Sequence, residues 1–131
     1  MSGEVHAVNV AVNCGGTVNA IGTTVFPVFK VPSTATGGGV TILSWSVTSG
    51  SAIGSGSAPA FSLVTLSSAG VLNGTVGASG SVAYTAGTPV SGTVSTAYVT
   101  QNYYVALRQE QAIAATAIHF ITATVNYCMG K

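Results

Sequence analysis

Along Val5–Asn13 apolar and polar positions alternate, with Val8, Val10 and Val12 on one face and Ala7, Asn9, Ala11 and Asn13 on the other. A period of two predicts a strand covered on one side. Cys14-Gly15-Gly16 ends it. The run Thr24–Val31 is β-prone but contains Pro27, which cannot donate to a ladder and so predicts an edge strand or a bulge. After the flexible turn Gly37-Gly38-Gly39, the run Val40–Val47 aligns Leu43, Trp45 and Val47 on one face, and Phe61–Leu66 follows a Gly/Ser linker.

Between Ser67 and Thr96 small residues dominate, with short β-prone pieces around Gly80–Ala86 and Gly92–Thr96. The triplet Gly-Thr-Val recurs at Gly16, Gly74 and Gly92, but at unequal spacings, so it reflects composition and not a repeat. Ala97–Arg108 carries Tyr103-Tyr104-Val105-Ala106-Leu107, and Gln109–Ala115 reads as a connection with room for one helical turn. The longest strand is expected over Thr116–Tyr127. Ile118 and Phe120 share one of its faces, while Ile121, Ala123, Val125 and Tyr127 share the other. Apolar residues on both faces predict a central strand, or one covered by a neighbouring subunit. About seven or eight short antiparallel strands at this spacing predict an all-β protein, a β-sandwich or jelly roll, with a small barrel as the alternative.

Composition then changes the picture. The 131 residues suit a single domain spanning 1–131, and the 47% hydrophobic content is ordinary. Charge is not ordinary. Only 4% of the chain is ionic, against roughly 25% in typical soluble domains. Aspartate is absent, the acids are Glu4 and Glu110, and the bases are Lys30, Arg108 and Lys131. Polarity comes instead from Gly, Ser and Thr, which fill 49 positions. A solvent-facing surface normally resists association through interspersed charge. A net charge of +1 on so few ionic groups predicts a body that packs against neighbours in a larger assembly.

The same scarcity narrows the chemistry. A Ser-His-acid triad would need Glu4 or Glu110 beside His6 or His119, and no nucleophile-elbow pattern is present at Gly54-Ser55-Gly56. Paired-carboxylate chemistry would consume both glutamates. The chain is therefore expected to be no enzyme and to need no cofactor. His6, His119, Cys14 and Cys128 match a zinc ligand inventory. His6 and Cys14, however, lie eight strand residues apart, near 26 Å at about 3.3 Å per residue. No metal site is expected. Three bases make no basic footprint, so nucleic acid is not an expected partner. Ser, Thr or Gly interrupts every apolar run well before spanning length, and neither a signal segment nor the girdles of a membrane barrel are evident. No membrane partner is expected. Without a secretory route both thiols are expected to be free, and Asn73-Gly74-Thr75 is a chance glycosylation match; whether Cys14 and Cys128 meet is left open.

The segment Gly87-Thr88-Pro89-Val90-Ser91-Gly92-Thr93-Val94-Ser95-Thr96-Ala97-Tyr98-Val99, with Tyr103–Arg108 and the ending Val125-Asn126-Tyr127-Cys128-Met129-Gly130-Lys131, resembles the ends of small bacteriophage virion proteins, especially those of aquatic tailed phages. The resemblance implies a capsid decoration (cement) protein, made in the host cytoplasm and carried on the virion surface. It also implies a homo-oligomer, commonly a trimer, that braces the major capsid protein. A head fibre, a neck or tail component, and a carbohydrate- or host-binding β-sandwich are the alternatives. Tyr and Arg are favoured interface anchors, so Tyr98, Tyr103, Tyr104 and Arg108 are the expected contact residues.

Overall fold

The computed structural model describes residues 4–15, 25–33, 35–50, 52, 60–81, 85–111 and 118–130. Nine antiparallel strands form among them: β1 (His6–Gly15), β2 (Val25–Lys30), β3 (Gly39–Ser49), β4 (Ala60–Leu66), β5 (Leu72–Ser81), β6 (Val90–Ser91), β7 (Tyr98–Thr100), β8 (Tyr104–Gln111) and β9 (Ile118–Met129). A front sheet has the order β1-β9-β3-β6, with β7 also paired to β3, and a back sheet has the order β2-β8-β4-β5. The chain changes sheet at every step except β4 to β5 and β6 to β7. With β6 and β7 together in the place of one strand, this is the double-sheet jelly-roll arrangement of an all-β sandwich.

The alternation in β1 sets its register. Val8 lies opposite Val125 and Val10 opposite Ala123, so the valine face turns inward against β9. β9 is indeed central, flanked by β1 and β3. Its odd-numbered residues Ile121, Ala123 and Val125 are fully buried, while Phe120 on the other face is 68% exposed. β2 is an edge strand and also bulged, with the register shift falling between Pro27 and Phe29.

Trp45, Phe61, Ile42, Leu63, Leu107 and Ile121 are the largest residues of the core between the sheets. On one side of the sandwich the segment 92–96 acts as a seam. Gly92 N–H donates to Trp45 O, Trp45 Nε1 donates to Thr93 O at 2.7 Å, and Thr93 and Ser95 N–H donate to Ala78 and Val76 of β5. A Cβ at Gly92 would enter the indole ring, and one at Gly77 would collide with the Thr93 carbonyl. Both glycines are there because two backbones and a tryptophan meet without room for a side chain. On the other side, His6, Tyr127 and Phe29 stack in series, with centroids 5.4 and 4.9 Å apart, and join β1 and β9 to β2.

Four expectations need correction. Leu43 does not share a face with Trp45 and Val47: a bulge between Ile42 and Ser44 turns it outward, and Ile42 takes the buried place. The small-residue region contains a ten-residue strand, β5, that its composition concealed. Gln109 does not begin a connection, because β8 runs on to Gln111 and Gln109 is fully buried opposite Phe61. Of the remaining connection, 112–115 lie outside the described residues, as do 116–117 of the expected last strand and 82–84 of the piece around Gly80–Ala86. The segment Gly92–Thr96 is the seam, not a strand. Among the described residues no helix is long and apolar enough to cross a membrane.

Candidate interaction surfaces

The two sheets present different outer faces. On the back sheet Tyr104, Ala106, Arg108 and Glu110 of β8 alternate away from the main core, beside Ser62, Val64 and Leu66 of β4; Ala106, Ser62, Val64 and Leu66 are buried there, while Tyr104, Arg108 and Glu110 are half-buried. Val64, Leu66 and Ala106 form a second small apolar cluster there, with Val25 and Tyr104 packed against it. Lys30 Nζ sits 5.5 Å from the Tyr104 ring centroid, within cation–π range. Residues two apart in a strand share a face, which brings Arg108 Nε within 2.5 Å of Glu110 Oε1. Ser62 Oγ donates to the same oxygen. Burial opposes ionisation of Glu110, but the Ser62 and Arg108 hydrogen bonds and the guanidinium charge outweigh it, holding the carboxyl below its ordinary 4.5. At the Tyr104 end of this face an open depression of about 410 Å³ is lined by Pro27, Leu66, Ser68, Ala69, Gly70 and Tyr104. Val71 and Leu72, 64% and 49% exposed, follow at the same turn.

The front sheet carries no such groups. None of its strands contains Asp, Glu, Lys or Arg. Its outer face carries a ladder of small neutral residues, Ala7, Asn9 and Ala11 on β1, Thr122, Thr124 and Asn126 on β9, and Ser44, Ser46 and Thr48 on β3, together with two exposed large apolar side chains, Phe120 and Leu43. Two pairs of its polar side chains meet across the strands: Thr124 Oγ1 donates to Asn9 Oδ1 at 2.6 Å and Asn126 Nδ2 to Ser44 Oγ at 3.0 Å.

Only two of the four expected contact residues fall together. Tyr104 and Arg108 share the back face. Tyr103, one residue earlier, turns its half-buried ring to the main core. Tyr98 is on β7, where its hydroxyl donates to Gly37 O at 3.0 Å. The turn Gln101-Asn102, with Asn102 at φ 69°, separates the two groups. What sequence reasoning missed on the back face is Ser62, Lys30 and the apolar depression, which meet only because β2, β4 and β8 pair.

The candidates for chemistry are scattered. The β1–β9 register sets His6 opposite Tyr127 and Cys14 opposite His119, so the zinc-type ligands divide between the two ends of one ladder. Among the described residues no three His, Cys, Asp or Glu come together. Cys14 lies opposite His119, nine residue steps along β9 from Cys128, about 30 Å at the strand rise, whereas a disulfide needs Cα atoms within about 7 Å. Cys128 is a buried free thiol.

No sequence-family model matches the chain, and no curated protein matches it in sequence. Solved structures do match in shape. One, titled "Cyanophage Pam1 capsid asymmetric unit", contains a chain that superposes with a TM-score of 0.59 at 19% identity, over 99% of this chain and 87% of its own length. The two chains share a fold.

Proposed function

We propose that the protein is a non-enzymatic structural component of a phage virion, a decoration protein that seats on the outer surface of the capsid. The observation that carries this reading is the charge-free front sheet: a solvent-facing surface of this size with no ionic group has nothing to oppose contact with a neighbour. Interface cores are likewise depleted in charge. The fold shared with a chain of a cyanophage capsid supports the same reading. Tyr104 and Arg108 are the proposed anchors toward the major capsid protein. Both are half-buried, Tyr104 lines the open depression, and Tyr and Arg are the residue types most often found as interface anchors. Tyr98 and Tyr103 are proposed to hold up the surface on which the anchors stand.

Co-sedimentation of the purified chain with capsid shells that lack it tests the proposal. Wild-type protein should coat the shells in many copies that follow capsid symmetry. The double variant Tyr104→Ala with Arg108→Ala should bind at least about tenfold more weakly, a loss of about 1.4 kcal/mol or more. Sparse binding at one vertex would indicate a fibre, neck or tail part, and binding to glycans but not to shells would indicate a host-recognition module. Either result would remove the decoration reading.

A further inference from the structure

The four sheet edges of this sandwich are not alike. β2 is protected by Pro27, by its bulge and by Lys30 at its end. β5 carries three register shifts against β4, and segment 93–96 covers its free side by hydrogen bonds to Val76 and Ala78. β6 and β7 are three residues long or less. Bulges, proline, terminal charge and brevity are the usual devices against edge-to-edge association. β1 has none of them. Its ten residues from His6 to Gly15 hold no Pro, Lys, Arg, Asp or Glu, and its ladder with β9 is in register from end to end. Among the described residues no backbone hydrogen bond reaches β1 from outside that ladder.

We infer that the free edge of β1 pairs antiparallel with β1 of a second copy of this chain, joining two front sheets into one continuous sheet. Three observations select the occupant. An edge without charge meets its own copy without like-charge repulsion, the usual barrier to self-pairing. The alternation also matches: any antiparallel register whose paired residue numbers sum to an even value turns the valines of both strands inward together. With Asn9 facing Asn9 across the two-fold axis, Val8 meets Val10 and Ala7 meets Ala11, so small residues line the outer face and β-branched ones the inner. Finally, Val8 and Val10 are only half-buried, whereas Val125 and Ala123 beside them are fully buried, as expected of a face whose next strand is missing. Since β1 is the one long unprotected edge among the described strands, its natural partner is itself. The contact is isologous and yields a two-fold dimer, not the three-fold ring that the virion-protein resemblance implies.

Amide hydrogen exchange combined with native mass measurement tests the inference. In an isolated edge strand every second amide faces solvent and exchanges fast. In the paired strand both sets are held. The wild-type chain of 12.9 kDa should be a dimer, with alternate β1 amides slowed about a hundredfold relative to a dilute monomer. Ala7 and Ala11 are exposed, so Ala7→Lys with Ala11→Lys should leave the fold intact by circular dichroism. The variant should weaken the dimer at least about tenfold and release those amides. A wild-type monomer, a trimer, or a dimer whose alternate β1 amides exchange fast would each overturn the inference, as would protection that appears only when capsid protein is added. The inference stands apart from the decoration reading: a monomer that coats shells refutes this one alone, and a dimer indifferent to shells refutes the other alone.

Discussion

Front and back sheets share one core and one alternating strand pattern, yet they treat water differently. The back sheet keeps Lys30, Arg108 and Glu110 on its edge and outer face, tied to Tyr104 and Ser62. The front sheet has no ionic side chain in any strand, and on its outer face Thr124 bonds to Asn9 and Asn126 to Ser44. The difference teaches that inward alternation specifies the fold, whereas the choice of outward residues specifies what the folded body can touch. Valines at even positions of β1 suffice to dock it on β9. The intervening Ala and Asn residues leave that docked strand open to a further neighbour.

The sharpest way to break the comparison is to remove what makes the sheets one body. Trp45 is 1% exposed and also donates to the seam, so Trp45→Ala should cost about 3–5 kcal/mol in urea unfolding, enough to endanger both sheets together. Next in size, Gly92→Ala drives a methyl into the indole and should cost about 1–3 kcal/mol by the same measurement. Loss of the β5 amide protection ahead of the rest would locate the damage at the seam. On the outer faces the effects on stability should be small and those on association large. Thr122→Lys on the exposed front ladder should move unfolding by no more than about 0.5 kcal/mol while reducing any contact that this face makes.

The back-face ion pair should likewise contribute little to stability. Arg108→Ala should cost no more than about 1 kcal/mol at neutral pH, because the pair is partly exposed. Its signature is in acid. Glu110 titrates below its unfolded value, so its contribution is complete above about 4.5 and disappears as pH falls through the lower folded value. Proton titration followed by NMR should show the Glu110 midpoint rising in Arg108→Ala, and the acid limb of the stability curve should flatten with it.

Much of this fold was legible because local pattern and tertiary role agreed. The alternation in Val5–Asn13 marked a strand covered on one side, the double-faced apolar pattern within Thr116–Tyr127 marked a strand that is central or covered by a neighbouring subunit, and Pro27 marked an edge or a bulge, of which the structure shows both. The failures fall where tertiary pairing overrode composition. Leu-Asn-Gly-Thr-Val-Gly-Ala-Ser-Gly-Ser has little intrinsic preference for β5. It becomes a strand through its ladder with β4 and through Ser79 and Asn73, which bond across its bulges to Phe61 and Thr65. Leu43 lost its face to a one-residue bulge, an insertion that shifts side-chain phase without leaving a mark in the hydrophobic pattern. The surfaces were harder still. Scarcity of charge was visible at once, but its confinement to one sheet depends on strand order, which no local pattern encodes. Tyr98 and Tyr104 lie six residues apart, yet in different sheets.

Sedimentation of the purified chain, alone and mixed with capsid shells lacking it, from low salt to about 0.5 M, tests most directly whether the neutral surfaces are built to be covered. Contacts made without charge should persist across the whole range, with the chain either self-associated or bound to shells at every salt concentration. A chain that stays monomeric up to millimolar concentration and ignores the shells, or one whose binding collapses as salt is added, would contradict the account.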